Sequence, residues 1–322
     1  MLAEPAEGEI IATTRAMATE VTIRIAPARG VHERHDVDEV IRAALEVFHT
    51  VEKACTRFDP TSPLMRANAS PTRWHKVPDV LYEALSEASS AHQRTAGRFD
   101  PRILEDLVAL GYDRSLAFAN GDVVTPHRAV RRWDRQPRGP WRPRFRGGSL
   151  EVLLGEAVDL GGIGKGLAVR RSSRTLASRT KNFMVEAGGD CYCAGVAPDG
   201  NSWRVGIEDP FHDDEPLAVL ALCDRAATTS SIRLRHWRAG GEPVHHLIDP
   251  RTGRPGGDDL VAVTVVGKDP ATAEIDSKTL FLAGRQIART ASRRGIAALW
   301  VDANGAVNAS ADMSRYVLWQ RS

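Results

Sequence analysis

The chain has 322 residues, which is enough to bury a sizeable core and to form one large domain or two lobes. Its formal net charge of +2 gives no whole-chain argument for binding nucleic acid or an acidic surface. No apolar run approaches the roughly 20 residues that a membrane helix needs, so we expect no membrane insertion.

The N-terminus and the cysteines both indicate a reducing compartment. Glutamates stand at positions 4, 7 and 9, and no basic stretch precedes an apolar one, so the pattern is not that of a secretory signal peptide. Cys191 and Cys193 are separated by one residue, which suits neither a disulfide nor a usual zinc pair. We therefore expect buried, unreactive thiols and a cytoplasmic location.

Periodic apolar residues predict a strand and three helical segments in the first third of the chain. Alternation predicts a strand at the end of segment 17–26. Apolar residues at three- and four-residue steps predict a helix with one buried face over 36–58, which a proline-containing run then ends. Proline at the start and glycine at the end mark a second helix over 78–96, and a short helical stretch runs to Leu110.

The composition changes between positions 127 and 148. This segment interleaves many arginines with two tryptophans, one phenylalanine and three prolines. Arginine with aromatic residues can bind single-stranded nucleic acid by stacking. The alternative is an insertion or loop whose tryptophans pack beneath it. We favour the loop and expect no nucleic-acid partner, because no RNA-binding fold signature surrounds the segment.

The stretch from Asp159 to Gly166 combines four glycines with one lysine, between a strand-like run and a helix-like run. Bare backbone N–H groups near a helix N-terminus favour a phosphate, and Lys165 adds a mobile positive charge. Asp159 can accept from a ribose hydroxyl, an amide or an ammonium. The spacing fits neither a P-loop nor a dinucleotide fingerprint. The stretch predicts a nucleotide-like ligand with a phosphate, and a tight strand-to-helix turn is the other interpretation.

Strand patterns dominate the second half of the chain. Strands are predicted over 183–187, 203–208, 217–222, 260–266 and 297–301, helices over 270–284 and 286–294, and a hairpin turn at Asn304-Gly305. Helices and strands mixed without an internal repeat indicate an α+β (mixed α/β) chain.

Seven separated motifs follow one another along the chain. They are Met17-Ala18-Thr19, Ser62 to Asn68, Gly97 to Pro101, Asp159 to Gly166, Gly188 to Asp190, Thr229 to Ser231 and His246 to Gly253. In this order they resemble the ApbE family of FAD:protein FMN transferases, over about residues 16–284. The resemblance implies a two-lobed ApbE-like fold with an FAD cleft between the lobes. It also implies a single domain over 10–322, with 127–148 as an insertion or loop.

The resemblance implies transfer of FMN from FAD to a Ser or Thr of an acceptor flavoprotein, with release of AMP. In such phosphoryl-type transfer, positioning and charge neutralisation do most of the work. Lys165 and the glycine amides would hold the pyrophosphate, and His246 would take the hydroxyl proton. The positions implied to contact FAD are Met17, Phe58, Phe99, Asp100, Asp159, Gly161, Gly162, Lys165, Gly189, Asp190, Leu247 and Lys278.

Several of these residues also have a purely structural interpretation. His245 stands beside His246, and strand alternation would send one ring inward and the other outward. The Asp-Pro-Arg-Thr-Gly run that follows favours a functional His246, with Asp249 forming the turn. A structural role for Asp190 would be to close the turn after two glycines. A structural role for Asp100 would be to cap the backbone beside it.

The late helix departs from the family pattern at the Mg²⁺ site that the resemblance implies. That site would use the Gly162 backbone and a carboxylate, here Glu274, but Lys278 replaces the family's Thr. At a spacing of i, i+4 the two side chains share one helix face. An ammonium there would repel Mg²⁺, which prefers oxygen ligands, so we hypothesise that Lys278 supplies part of the metal's charge. A rival register uses Asp276 and Thr279 but requires a one-residue gap.

Two other functions stay open on the sequence alone. One is an FAD-binding protein without transferase activity, because loss of a metal site can convert an enzyme into a binder. The other is an FAD pyrophosphatase that gives FMN and AMP with water as the acceptor.

Overall fold

The computed structural model describes residues 9–26, 34–118, 123–125, 138–212 and 215–321. The first two of the N-terminal glutamates and residues 127–137 of the arginine-rich segment lie outside these ranges. The interpretation of the N-terminus and half of the prediction for 127–148 therefore fall outside the described residues.

Seven α-helices occur within the described ranges. They are α1 (Arg34–Cys55), α2 (Pro63–Ala69), α3 (Asp79–Arg94), α4 (Leu104–Ala109), α5 (Gly164–Ala177), α6 (Pro270–Phe281) and α7 (Ile287–Arg294). The strands of the same ranges are β1 (Ile10–Ala16), β2 (Thr19–Ile25), β3 (His75–Lys76), β4 (Val124–Thr125), β5 (Arg144–Arg146), β6 (Glu151–Leu153), β7 (Phe183–Ala187), β8 (Asp190–Ala194), β9 (Trp203–Glu208), β10 (Pro216–Leu222), β11 (Arg225–Ser231), β12 (His236–Ala239), β13 (Glu242–His245), β14 (Ile248–Asp249), β15 (Arg254–Pro255), β16 (Leu260–Gly267), β17 (Ala297–Asp302), β18 (Val307–Ala309) and β19 (Val317–Gln320).

An eight-stranded sheet forms the centre of the structure. Its strand order is β1-β2-β7-β8-β11-β16-β17-β18, and each neighbouring pair is antiparallel. Strands β9, β10 and β19 form a separate three-stranded sheet. Helices and antiparallel strands thus share one chain, which confirms the predicted α+β (mixed α/β) class.

Two tight hairpin turns place residues of the predicted site. Ala187 pairs with Asp190 across β7 and β8, so Gly188 and Gly189 alone make the turn. Both glycines have positive φ, 57° and 84°, as a type I′ hairpin requires. The turn between β1 and β2 is equally short and is made by Met17-Ala18, with φ of 54° and 60°. Residues other than glycine rarely adopt this left-handed backbone conformation, so the turn at Met17-Ala18 is strained.

Helix α5 lies between α1 and α6 and packs on β7 and β8. The largest buried cluster joins these elements, with Phe48 of α1, Leu167 of α5 and Phe183 of β7 fully or almost fully buried. The apolar face predicted for α1 is confirmed, because its residues at three- and four-residue steps are buried. This packing fixes the N-terminus of α5 against the start of α6.

Most predicted elements are present with shifted ends. Helix α5 begins at Gly164, three positions earlier than its apolar pattern indicates. Strands β17 and β18 pair on either side of Asn304-Gly305, which confirms the hairpin turn. The pattern did not predict β11, whose buried residues are small or polar, such as Thr228 and Ser230. Such a strand is specified by its neighbours in the sheet and not by alternation.

The cysteines agree only in part with their prediction. All four are free, and Cys55, Cys191 and Cys193 are buried. Burial raises the pKa of Cys55 to about 12, which makes this thiol unreactive. Cys223, in contrast, is exposed, because it lies in the turn between β10 and β11, so the expectation of burial is wrong there. Within the described ranges, no helix has the length and apolar character needed to cross a membrane.

Candidate functional site: a charged cluster at the N-terminus of helix α5

The glycine-rich turn precedes α5, as predicted, but its amides are less open than the sequence suggests. The N–H of Gly161 donates to Asp159 Oδ1 at 2.9 Å. The N–H of Gly164 donates to a backbone carbonyl at 3.0 Å. The N–H of Gly166 donates to Glu274 Oε2 at 2.8 Å. The prediction of bare amides is therefore wrong for three of the four glycines, because acceptors from the turn and from α6 already satisfy them.

Close packing explains why the turn needs glycine. A Cβ at Gly166 would lie 2.7 Å from the carbonyl oxygen of Pro270, so the starts of α5 and α6 meet backbone to backbone. A Cβ at Gly162 would lie 3.2 Å from Phe99 Cε2 and 3.4 Å from Lys278 Cδ. The distances to Pro270 and Phe99 are shorter than normal van der Waals contact, and the distance to Lys278 is an ordinary contact. The glycines thus let an aromatic ring and a lysine stem approach the turn.

Lys165, the second residue of α5, forms an ion pair with Asp190 at the start of β8. The other carboxylate oxygen of Asp190 accepts from the N–H of Thr229 on β11, at 3.1 Å. Asp190 is almost fully buried. Burial raises its pKa above the ordinary value, against the lowering effect of the nearby Lys165 ammonium. Asp190 therefore does more than close the hairpin turn, because it fixes the lysine at the helix N-terminus.

Glu274 and Lys278 form the second ion pair of the site. Lys278 Nζ lies 3.0 Å from Glu274 Oε1, one turn along α6, as their spacing predicts. The Glu274 side chain is 1% exposed and that of Lys278 is 15% exposed. Burial raises the pKa of Glu274, but the Lys278 and Lys165 ammonium groups and the Gly166 N–H together hold it below its ordinary value. Glu274 is thus a buried, ionised carboxylate.

The rival register for the late helix is disfavoured by the structure. Asp276 Oδ1 pairs with Arg294 of α7 at 2.7 Å, so this carboxylate points away from Lys278. The hydroxyl of Thr279 is buried and has no hydrogen-bond partner among the described residues. Of the two acidic residues of α6, Glu274 is the one whose carboxylate bonds to the glycine turn.

The donor set does not fit the Mg²⁺ that the family resemblance implies. Magnesium takes six oxygen ligands in near-octahedral geometry at about 2.0–2.1 Å. Both oxygens of Glu274 are already bonded, one to the Gly166 amide and one to the Lys278 ammonium. In the described part of the chain, no three His, Cys, Asp or Glu residues are grouped so that they could hold a metal ion. An ammonium stands where a neutral oxygen ligand would be needed.

His246 follows β13 directly, and its ring is held by the backbone. The ring Nδ1 lies 3.3 Å from the carbonyl oxygen of Arg235, which indicates that Nδ1 carries the proton and that Nε2 is left as an acceptor. Nε2 has no partner among the described residues. Burial lowers the pKa of His246 well below 6.5, and the Arg235 and Lys278 cations lower it further. The imidazole is therefore neutral, as a general base must be.

Its neighbour His245 has a structural setting. The Nδ1 of His245 accepts from the N–H of Leu247 at 3.3 Å, and the ring meets the edge of Phe281 with 5.9 Å between centroids. Burial lowers the pKa of His245 to about 4. The two adjacent histidines differ in their contacts, since the ring of His245 packs against Phe281 of α6 and the ring of His246 is held by the Arg235 carbonyl. Both side chains are partly buried, so the expected separation into one inward and one outward ring is not seen.

Five residues of the predicted site act on one another electrostatically. The charges of Lys165 and Lys278 shift the pKa values of both Asp190 and Glu274, and the charge of Lys278 reaches His246. The cluster contains two ammonium groups and two carboxylates, so its charges balance. Tertiary packing therefore brings Lys165, Asp190, Glu274 and Lys278 into one cluster at the start of α5, and His246 lies within range of the Lys278 charge.

Asp159 has a partner that the sequence did not reveal. Arg57 Nε lies 2.9 Å from Asp159 Oδ2, and both side chains are buried. The guanidinium of Arg57 also stacks on the rings of Phe58 and Tyr112, 4.3 Å from each centroid. Arg57 Nη2 is buried and has no hydrogen-bond partner among the described residues. Phe58, predicted to contact the ligand, is 42% exposed beside this arginine.

Asp100 is buried beneath the glycine turn and is held by Arg102. The N–H of Arg102 donates to Asp100 Oδ1 at 3.0 Å, and Nη2 donates to Oδ2 at 2.7 Å. The segment also touches the turn, because the N–H of Asp159 donates to the carbonyl of Pro101 at 2.7 Å. In this structure Asp100 therefore orders the Gly97 to Pro101 motif against the glycine turn.

The same arrangement recurs after His246. In the second Asp-Pro-Arg tripeptide the N–H of Arg251 donates to Asp249 Oδ1 at 2.9 Å, and Nη2 donates to Oδ2 at 2.5 Å. The carbonyl of Asp249 accepts from Thr252 and Gly253, so its predicted role in the turn is confirmed. The repeated Asp-Pro-Arg was visible in the sequence and could have indicated both chelated aspartates.

We expect Arg102→Ala to destabilise the protein much more than Arg251→Ala does. Arg102 is buried, and its loss leaves the buried Asp100 carboxylate without its guanidinium, with His92 Nδ1 at 3.7 Å as the remaining side-chain partner, which costs about 3–5 kcal/mol. The side chain of Arg251 is 60% exposed, so water can replace it, and we expect about 1 kcal/mol or less. Urea unfolding of the two variants measures both free energies. Equal losses would contradict the assignment of Arg102 as the main partner of the buried Asp100 carboxylate.

The remaining predicted contacts lie around the turn. A Cβ at Gly164 would be 3.1 Å from Met17 Cε, so the strained β1–β2 turn places Met17 over the glycine turn. Gly189 belongs to the hairpin that carries Asp190. The side chain of Leu247 is buried in the apolar cluster that includes residues of α6. The predicted contact of Leu247 with FAD would therefore use its backbone.

A cavity of about 460 Å³ is lined in part by the turn that follows His246. Arginines, Asp249, Gly257 and Leu282 are among the residues that line it. Lys165, Asp190 and Lys278 are not part of its wall, so it is separate from the charged cluster.

Comparisons with known proteins agree with the motifs. Residues 17–300 match the sequence model of the ApbE family. The chain is 26% identical over 267 residues to the FAD:protein FMN transferase of Chlamydia trachomatis, covering 80% of this chain and 81% of that protein. Its identity to the FAD:protein FMN transferase of Treponema pallidum is 27% over 304 residues, with coverage of 87% and 83%. A 35% identical match to the Vibrio cholerae enzyme of that name spans 131 residues, 40% of this chain and only 39% of that protein.

Solved structures give the same result. The ApbE protein of Thermotoga maritima superposes with a TM-score of 0.81 at 26% identity, covering 98% of this chain and 100% of that chain. The flavin transferase ApbE of Vibrio cholerae superposes with a TM-score of 0.76 at 24% identity, over 96% and 99% of the two chains, which supports the fold alone. Because the family model covers most of the sequence and the motifs converge on one site, the chain belongs to the ApbE family.

Proposed function

We propose that this protein is an FAD:protein FMN transferase, which moves FMN from FAD to a Ser or Thr of an acceptor flavoprotein and releases AMP. The observation that carries the proposal is the pair of lysines that buried carboxylates hold at the start of α5, with a neutral histidine close enough for the Lys278 charge to lower its pKa. The relatives from Chlamydia trachomatis and Treponema pallidum bear this function in their names, and both align over most of their length.

In the proposed reaction the acceptor hydroxyl oxygen attacks the phosphorus on the FMN side of the pyrophosphate. A new P–O bond forms there, the P–O bond to the AMP phosphate breaks, and AMP leaves with that electron pair. The hydroxyl proton passes to Nε2 of His246. Because Nδ1 is held by the carbonyl of Arg235, the ring presents Nε2 in the neutral, proton-accepting form.

The charges of the cluster give the diphosphate its binding groups. Lys165 and Lys278 lie at the positive end of α5, where an anion is favoured. Most glycine amides are already bonded, so the two ammonium groups carry more of the binding than the sequence indicated. Gly161 and Gly162 remain proposed backbone contacts, Gly162 because its N–H, unlike those of the other three glycines, makes no hydrogen bond within the described residues.

Apolar and polar side chains around the turn would receive the rest of FAD. Met17, Phe58 and Phe99 are proposed to line the flavin or adenine pocket, and Leu247 contributes from its backbone. Arg57 extends the predicted set, because its buried Nη2 is a donor without a partner among the described residues, beside Asp159. We further propose that 10–322 is one domain of two lobes with FAD between them.

An assay with two products tests the function. The purified protein is incubated with FAD in the presence and absence of clarified lysate of the source organism as the supply of acceptors. We expect covalently fluorescent bands in a denaturing gel, FMN on a Ser or Thr by mass spectrometry, and AMP in amounts that match the label. AMP without label would identify an FAD pyrophosphatase, and FAD binding without either product would identify a binding protein.

A further inference from the structure

The Glu274–Lys278 pair occupies the place where a divalent ion would have to sit between the glycine turn and α6. The stem of Lys278 fills this space, since a Cβ at Gly162 would lie 3.4 Å from Lys278 Cδ and 3.6 Å from its Cε. Glu274 is bonded at both oxygens. The position is therefore closed by protein groups and carries its own positive charge.

The partners of Glu274 show what it does. One oxygen caps the N-terminus of α5 through the Gly166 amide, from a residue 108 positions away in sequence. The other oxygen holds the Lys278 ammonium beside the turn. Its carboxylate thus anchors a cation and leaves that cation partly exposed, at 15% of the side chain. A buried salt bridge with only a packing role would not need its cation to reach the surface of the site.

We propose that Lys278 is the fixed cation of this enzyme, so that it binds and cleaves the FAD pyrophosphate without a bound divalent metal ion. The inference rests on the proposed function and departs from the metal site that the family resemblance implies. When FAD binds, the Lys278 ammonium hydrogen bonds to a non-bridging diphosphate oxygen opposite Lys165. As the bond to AMP breaks, the two ammonium groups stabilise the charge that develops on the leaving phosphate.

The first test compares FAD affinity and AMP release with Mg²⁺ and with EDTA, after the metal content of the purified protein has been measured. We expect FAD affinity and the rate of AMP release each to differ by less than about twofold between Mg²⁺ and EDTA, because removal of the ion would remove no binding group. An enzyme that holds Mg²⁺ and loses FAD binding or AMP release in EDTA would overturn the inference. Metal-independent binding without any FMN transfer would instead refute the proposed function alone, and absence of FAD binding would refute both.

The second test compares the size of the effect of two substitutions. Lys278→Met removes the ammonium but keeps the stem, and should weaken FAD binding at least about tenfold, the effect of one hydrogen bond to a charged group. Glu274→Gln keeps an acceptor for the Gly166 amide and keeps the Lys278 ammonium, but loses the charge that anchors it, so it should weaken FAD binding clearly less than Lys278→Met does. If the pair were only a structural salt bridge, both variants would weaken binding to the same extent through lost stability.

Two further variants complete the design. Lys181→Met makes the same chemical change at an exposed lysine outside the site and should leave FAD affinity unchanged. The double variant Glu274→Asp/Lys278→Thr restores the residues that the family resemblance implies, and should gain Mg²⁺ binding, measured by calorimetry, together with an EDTA-sensitive rate. Wild-type FAD affinity in Lys278→Met, with the protein folded, would contradict a role for this cation in binding.

Discussion

His246→Asn should reduce FMN transfer by about 10²- to 10⁴-fold while FAD still binds, because general-base catalysis contributes on this scale. The Asn side chain can still donate to the carbonyl of Arg235, which holds Nδ1 of the native ring at 3.3 Å. It offers no basic nitrogen to the acceptor hydroxyl. Initial rates of in-gel flavin fluorescence give the transfer rate, and quenching of FAD fluorescence gives the affinity.

The control for this variant is the adjacent histidine. His245→Asn can keep an acceptor for the Leu247 N–H through its amide oxygen but loses the ring contact with Phe281, so we expect lower stability. The transfer rate per folded molecule should stay close to that of the unchanged protein. A His246→Asn variant that transfers FMN at the original rate would exclude this residue as the base.

The lowered pKa of His246 adds a pH dependence to the same prediction. Burial and the cations of Arg235 and Lys278 favour the neutral ring, so the base stays competent as the pH falls through 6.5. The rate per folded molecule should therefore show no decline near pH 6.5. Stability behaves differently, because in the unfolded chain both histidines bind protons near pH 6.5, before the folded chain does. The free energy of unfolding should thus decrease as the pH falls below 6.5.

Lys165→Met should have the second large effect, on both stability and FAD binding. The substitution leaves the carboxylate of Asp190 buried without its cation, which costs about 3–5 kcal/mol. It also removes one of the two ammonium groups that are proposed to bind the diphosphate, so FAD affinity should fall by about 10- to 100-fold. Urea unfolding and FAD fluorescence titration measure the two losses separately.

A double variant separates the two roles of Lys165. In Lys165→Met/Asp190→Asn the buried charge is gone, while the amide oxygen can still accept from the N–H of Thr229. We expect most of the stability to return and the FAD affinity to remain low. Full recovery of FAD binding in the double variant would mean that Lys165 serves only to neutralise Asp190.

The glycine-rich turn has a different physical role from the one that its sequence indicates. Glycines beside a helix N-terminus predict a cradle of backbone amides for a phosphate. In the fold, Gly166 allows α5 to touch α6, and its amide is capped by Glu274. The anion-binding capacity of the turn therefore rests mainly on two lysine side chains, of which one comes from α6.

Several features of the protein followed from local sequence patterns alone. Apolar residues at helical steps placed α1, and the spacing of Glu274 and Lys278 placed both on one face of α6, since neighbours within a helix are fixed by its geometry. The order of the motifs was enough to identify the family. The roles of the individual site residues stay predictions that the variants above would test.

Other features were decided only by the tertiary structure. Lys165 meets Asp190 because a two-glycine hairpin begins β8 beside α5, and Asp159 meets Arg57 because α1 ends next to the glycine turn. Glu274 caps a helix that lies 108 residues earlier in the chain. Spacing along the sequence determines neighbours within one helix or turn, but packing between elements determines which buried charges become partners. For that reason the sequence identified the charged residues of this site but not the contacts that hold its two lysines in place.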